Sequence, residues 1–198
     1  EYDHTYGKPV WLIYSGNEHR AVRDNVGLLD ISTFSKFLLQ GRDAERIINY
    51  VSTNNMAVAP GRIVYTQWLN EQGGISADLT VTRLAKDAYL VMTAFSSHTR
   101  DYNWLQRHIP SDAHAVLTDV TPSYAGINVQ GPNSRVLLQQ VSPDNFSNSA
   151  FPFGTSKEIQ LGYATIRASR ISYVGELGWE LLIPSDMAAH VYETLLEA

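Results

Sequence analysis

Two patterns of apolar positions take turns along the chain. After Asp43, the residues Ile47, Ile48 and Val51 recur at helical spacing; from Ser76 to Leu84, Ala77, Leu79 and Val81 alternate with Ser76, Asp78, Thr80 and Thr82. The first pattern predicts an amphipathic helix capped by Asp43, and the second a strand with one apolar and one polar face. The same arrangement returns later. Leu38-Leu-Gln-Gly-Arg-Asp-Ala-Glu-Arg-Ile-Ile-Asn-Tyr-Val51 is matched by Asn128-Val-Gln-Gly-Pro-Asn-Ser-Arg-Val-Leu-Leu-Gln-Gln-Val141, where Pro132 suits a first helical turn and Val136, Leu137 and Val141 form the apolar stripe. Each copy is expected to continue into two strands around a glycine-rich turn. These are residues 63–69 and 76–84 through Asn70-Glu-Gln-Gly-Gly74, then residues 162–168 and 179–183 through Tyr173-Val-Gly-Glu-Leu-Gly178. Helices over 98–108 and 186–197 close the copies, the second burying Val191, Leu195 and Leu196. Strand, helix, strand, strand, helix, occurring twice, predicts an α+β fold of two related ferredoxin-like units, divided as residues 1–120 and 121–198. The Asn-, Ser-, Pro- and Phe-rich segment 143–155 reads as a surface loop.

Composition narrows the possible partners. The chain has 198 residues, 44% hydrophobic, and its 15 Lys+Arg against 20 Asp+Glu leave a net charge of -5 with no basic run, which argues against nucleic acid. No apolar stretch reaches the roughly 20 residues needed to span a bilayer, and the longest, Tyr89 to Phe95, is strand-sized. The absence of cysteine removes disulfides, thiol catalysis and Cys-ligated metals, and fits a reducing compartment. The chain starts at Glu1 and stops at Ala198 inside a helical pattern, so it reads as part of something longer.

Two carboxylates stand out. Asp78 lies on a strand face of Ser and Thr rather than the Lys and Glu of an ordinary solvated face, beside a Gly73-Gly74 turn that lets a ligand approach the backbone. Glu180 lies on the face opposite Trp179, Leu181 and Ile183, flanked by Gly178 and Leu182. A carboxylate so placed is either at a sheet edge or paired with something specific, and a planar heterocycle with an amidine-like pair of N–H groups is such a partner. The six histidines show no ligand spacing for a metal, the glycine pairs match no Walker or dinucleotide loop, and no serine sits in a nucleophile elbow.

The blocks Glu18 to Ser32, Gln40-Gly41, Tyr65-Thr-Gln-Trp-Leu-Asn70, Gly73-Gly-Ile-Ser-Ala-Asp-Leu-Thr-Val81, Val129-Gln-Gly-Pro132 and Tyr173-Val-Gly-Glu-Leu-Gly-Trp-Glu-Leu181 occur in an order that resembles the tetrahydrofolate-binding aminomethyltransferase family, the glycine-cleavage T-proteins. Two departures, Asp30-Ile-Ser-Thr-Phe-Ser-Lys-Phe37 without the family's His and Ser76-Ala-Asp78 without its successive acids, look more like the folate domain fused to the flavin domain of dimethylglycine and sarcosine dehydrogenases. The resemblance implies a T-protein-type folate-binding fold in which this chain supplies the first two parts and lacks the terminal barrel. It also implies a catalytic role for Asp78 and tetrahydrofolate contacts from Tyr65, Tyr173 and Glu180, with Thr80 as a further contact on the Asp78 face. Thr93 replaces an asparagine of the family.

The function so implied is tetrahydrofolate-dependent transfer of an aminomethyl or methylene unit from a small methylated amine or aminomethyl donor. FAD would enter only through a separate flavin domain of the same protein. Alternatives are a stand-alone T-protein and a folate-binding module without turnover. The setting implied is bacterial cytoplasm or the mitochondrial matrix.

Overall fold

The computed structural model of the chain describes residues 6–198. Its elements run α1 (Leu12–Asp24), β1 (Gly27–Asp30), β2 (Ser35–Gln40), α2 (Ala44–Val51), β3 (Ile63–Leu69), β4 (Ile75–Ala85), β5 (Ala88–Thr93), α3 (His98–Arg107), β6 (Val116–Asp119), β7 (Tyr124–Gln130), α4 (Ser134–Val141), β8 (Thr155–Leu161), β9 (Ala164–Arg170), β10 (Gly178–Pro184) and α5 (Ala188–Glu197). The strands form two five-stranded sheets, ordered β3-β4-β5-β2-β6 and β1-β7-β10-β9-β8. All pairings are antiparallel.

Each sheet contains a ferredoxin-like path. In the first, β2, α2, β4, β5, α3 and β6 trace it and β3 is added at the edge. In the second, β7, α4, β9, β10 and α5 repeat the path, β8 takes the edge, and β1 fills the place beside β7 that β6 fills beside β2. The fold is therefore α+β with two related units, and neither sheet closes into a barrel. No helix among the described residues is long and apolar enough to cross a membrane.

The strands of the two copies align differently from the sequence expectation. Each copy has three strands after its first helix, so β8 corresponds to β3, β9 to β4 and β10 to β5. Hydrogen bonds fix this register of the repeat: Gly41 N–H donates to Asp87 O (2.9 Å) before β5, and Gly131 N–H donates to Leu177 O (2.8 Å) before β10. The turn before Trp179 is thus the counterpart of Lys86-Asp87, not of Gly73-Gly74. The pattern hides β8 because Thr-Ser-Lys-Glu-Ile-Gln-Leu carries few apolar residues and follows a Pro- and Gly-containing loop. Further expectations change: Leu196 is exposed on α5 rather than buried, and the 143–155 segment plants Phe146 and Phe151 in the second core instead of lying wholly on the surface. Asp43 occupies the N-cap position of α2, but its carboxylate accepts from the His114 backbone N–H (2.8 Å) instead of capping the helix. Val136 is exposed, and Leu138 takes the buried position on α4.

The outer face of each sheet is buried by its own helices. Phe37, Trp68, Leu79 and Tyr89 pack with Ile47 and Ile48 of α2 and Leu105 of α3; Val129, Ile166 and Leu181 pack with Leu138 of α4 and Val191 of α5. In the second cluster Phe146 meets the fully buried Trp179 ring edge-on at 5.4 Å. Aromatic burial on this scale is a large share of a domain's stabilisation, since truncating such a side chain costs roughly 3–5 kcal/mol.

The other faces of the two sheets look toward each other. Leu38, Leu84 and Leu90 of the first sheet and Tyr124, Leu182 and Pro184 of the second line a cavity of about 150 Å³ between them. The sheets are joined at one edge, where Ser156 N–H donates to Gly61 O (2.7 Å) and Ile63 N–H to Gly154 O (2.9 Å). At the opposite edge the β1–β2 connection is held by Lys36, whose fully buried ammonium donates to Ser32 O (2.9 Å) and Phe34 O (2.8 Å). Burial pushes the Lys36 pKa down, opposed by the nearby Asp30 and Asp119.

The Gln-Gly turns carry the tightest steric constraint. Gly41 has φ +134 and Gly131 φ +131, and a Cβ at either would collide with backbone, at His114 O and Asn25 O respectively. Gly73 also has positive φ, +79, but open space around it. Gly41→Ala and Gly131→Ala are therefore expected to destabilise by on the order of 2–4 kcal/mol, and Gly73→Ala by only about 1 kcal/mol. Urea-unfolding midpoints of the three variants check this ranking.

Candidate functional site

Antiparallel pairing of β3 with β4 sets Tyr65 opposite Thr80 and Gln67 opposite Asp78, so these four side chains share the face turned away from the first core. That face is available because Ala77, Leu79 and Val81 take the apolar side of β4. Gln67 Nε2 donates to Asp78 Oδ1 at 3.1 Å. Asp78 lies beside the Tyr65 hydroxyl and pushes the Tyr65 pKa up by favouring the phenolic proton; Tyr173 lies near enough to add to the effect. Asn54 Nδ2 donates to Tyr65 O (2.7 Å), fixing the backbone that carries the ring. Tyr65, Thr80, Asp78 and Tyr173, drawn from both halves of the chain, thus form one exposed or half-buried group.

Glu180 lies on the second sheet in a polar row. Register places it opposite Asn128 of β7 on one side and Ser169 of β9 on the other, and Ser169 in turn faces Ser156 of β8. Ser169 Oγ donates to Ser156 Oγ at 3.0 Å, which satisfies both hydroxyls. Glu180 has no such bond among the described residues, and burial pushes its pKa up from 4.5 to about 7. Its neighbours are short of partners too. Asn128 Oδ1 and both polar atoms of the fully buried Gln130 are buried without a hydrogen bond. Gln130 lies across Gly178, where a Cβ would strike its Oε1, so the small residue before Trp179 makes room for this side chain.

Asn128, Gln130 and Gln67 are functional candidates that the sequence reading passes over. The available signal was alternation: Asn128 and Gln130 are polar residues two apart in a strand whose Ile127 and Val129 enter the core. Thr93, by contrast, belongs to the first core, where its Oγ1 donates to Asp101 Oδ2 at 2.7 Å. A separate polar cluster surrounds His98, with Ser35 Oγ 2.9 Å from Nδ1 and Asp119 Oδ2 3.2 Å from Nε2, beside an open cavity of about 440 Å³.

Chemically, the arrangement offers an accessible carboxylate, two tyrosine rings, and a half-buried carboxyl with a near-neutral pKa. A carboxyl of this kind suits a donor-rich planar ligand, because a bidentate partner offsets its partial desolvation. Its linkage to folding has a definite sign. With the folded pKa above the ordinary 4.5, Glu180 contributes stability that is complete below about pH 4.5 and lost as pH rises through about 7. The shift corresponds to on the order of 3 kcal/mol. Glu180→Gln should therefore gain stability relative to wild type between pH 4.5 and 8, by up to roughly that amount. Thermal unfolding of both proteins across this range checks the sign.

Comparison with known proteins places the whole chain in one family. The chain is 40% identical over 199 residues to a 4-methylaminobutanoate oxidase (formaldehyde-forming) of Paenarthrobacter nicotinovorans, an alignment covering 100% of this chain and 24% of that protein. It is 36% identical to the mitochondrial sarcosine dehydrogenase of Homo sapiens, covering 99% of this chain and 23% of that protein. The chain thus spans about a quarter of the length of these relatives. Among solved structures, the glycine cleavage system aminomethyltransferase T from Bartonella henselae superposes with a TM-score of 0.80 at 25% identity, covering 91% of this chain and 48% of that one. The family model of the GCVT N-terminal domain matches residues 1–198, and the chain belongs to that family, which occurs in aminomethyltransferases and in dimethylglycine and sarcosine dehydrogenases.

Proposed function

We propose that this chain is the tetrahydrofolate-binding domain of a flavin-linked methylamine oxidoreductase, and that it receives the one-carbon unit removed from the amine. The observation that carries the reading is the half-buried Glu180 carboxyl, without a hydrogen bond among the described residues, on the sheet opposite Tyr65 and Asp78. The similarity to an oxidase named for forming formaldehyde and to a sarcosine dehydrogenase supports the flavin-linked setting over a stand-alone aminomethyltransferase. FAD would belong to a separate domain.

Tetrahydrofolate, when bound, supplies the nucleophilic nitrogens that take up the carbon. Glu180 would accept the paired N–H groups of the pterin ring, Tyr65 and Tyr173 would wall it, and Thr80 would line the same face. Asp78, exposed and already oriented by Gln67 and Tyr65, would accept the proton that the attacking nitrogen loses as the new C–N bond forms. Domain boundaries at 1–120 and 121–198 would divide the site between the units, Tyr65, Asp78 and Thr80 on one and Tyr173 and Glu180 on the other.

Two measurements on the intact protein test this. Folinic acid should bind Glu180→Ala more weakly, by on the order of 2–4 kcal/mol for a lost charge-assisted pair of hydrogen bonds. Equal affinities would remove Glu180 from the site. Asp78→Asn should form methylenetetrahydrofolate about 10²- to 10⁴-fold more slowly, with folate affinity altered far less and formaldehyde released in its place. An unchanged yield and rate would favour a folate-binding module without turnover.

A further inference from the structure

Beyond Glu180, the second sheet holds polar groups whose burial the proposed contacts leave unexplained. Asn128 is 7% exposed, its Oδ1 is buried and partnerless, and no hydrogen bond among the described residues fixes its carboxamide. Register puts it directly across from Glu180 on the neighbouring strand, on the same face. Side chains so paired have Cβ atoms roughly 4.5–5.5 Å apart, the spacing at which one planar ligand edge spans both. On its far side Asn128 faces Leu29 of the short edge strand β1, which offers it no polar partner.

A buried amide left unpaired is destabilising, and an apolar residue would fill this strand position without that penalty. Only Oδ1 is enclosed; Nδ2 is neither enclosed nor bonded within the described residues, so the amide presents a free N–H donor on the Glu180 face. Glu180 can take two parallel donors from a ligand, and the next atom along a 2-amino-4-oxo ring edge is an acceptor, the 4-oxo oxygen. A carboxylate cannot serve that atom; an amide N–H can.

We infer that Asn128 is a specificity-determining residue that donates its Nδ2 N–H to the 4-oxo oxygen of the ring whose adjacent N–H pair is held by Glu180. The two side chains together read a donor-donor-acceptor edge, and Gln130, buried beside Gly178, backs the same row. The inference rests on the folate-binding reading and assigns that site its means of choosing an oxo-substituted ring.

The test is folinic acid titration of the intact wild-type, Asn128→Ala and Glu180→Ala proteins, with thermal unfolding of each ligand-free protein. Asn128→Ala is expected to weaken binding about tenfold, the equivalent of about 1.4 kcal/mol, while the ligand-free melting temperature stays level or rises because an unsatisfied amide has been removed. Unchanged affinity in Asn128→Ala, with weakened binding in Glu180→Ala, would overturn this inference and leave the folate reading standing. A lowered melting temperature with unchanged affinity would show a structural amide and overturn it as well. Unchanged affinity in Glu180→Ala would instead sink the folate reading on which it rests.

Discussion

The two units are organised by one steric constraint repeated, the close approach of backbone to the glycine of each Gln-Gly turn. At Gly41 the intruding segment is His114–Ala115, which leads into β6; at Gly131 it is Asn25–Val26, which leads into β1. The hydrogen bonds repeat with it: Asp43 N–H donates to His114 O, and Asn133 N–H donates to Asn25 O. Because each glycine sits where a first strand becomes a helix, it fixes three directions at once, those of the strand, the helix and the neighbouring edge strand. The same geometry places β1, the earliest strand in the sequence, in the sheet of the later unit. The halves are consequently tied by chain exchange as well as by the Gly61–Ser156 seam.

With the helices covering one face of each sheet, the remaining faces are left to meet each other, and this is what makes a site possible. A strand has only two faces, so every residue that avoids a core must enter the shared space. Leucines fill one end of that space. Toward the other end of the same strands, Asp78, Thr80 and Tyr65 stand on one sheet and Asn128, Gln130 and Glu180 on the other. Tyr173, carried on the loop before β10, approaches Tyr65 across the boundary. The polar side chains stand on strands whose opposite faces are packed against Trp68 and Trp179, so they are held by the stiffest parts of the fold.

Much of this was legible in the sequence wherever period-2 alternation was clean. Ala77-x-Leu79-x-Val81 and Trp179-x-Leu181-x-Ile183 both enter cores, which is why the opposite placement of Asp78 and Glu180 could be read directly. Alternation failed where a strand is mostly polar, as in β8, whose absence from the pattern shifted the second copy by one strand. It also says nothing about long-range partners. That Asp43 would serve His114 rather than its own helix depends on where the chain returns seventy-one residues later. The isolated polarity of Asn128 was visible, but its meaning depended on Glu180 being its cross-strand neighbour, and register is set by the fold rather than by either segment alone.

The two carboxylates also show how one site can separate binding from chemistry. Asp78 keeps contact with water and accepts a hydrogen bond from Gln67, which orients the carboxylate. Glu180 is half-buried and has no donor among the described residues, so burial disfavours its charge and a ligand's N–H groups would favour it. A base must be ionised before its substrate arrives, whereas a binding carboxyl gains most if the ligand's own N–H groups are what make ionisation favourable. Exchanging the environments would defeat both purposes: an acid at 78 could take no proton, and a solvated carboxylate at 180 would have to shed water to bind. The division of labour is therefore already present in the burial of the two strands, with polar exposure on β4 and enclosure between β7 and β9 on β10.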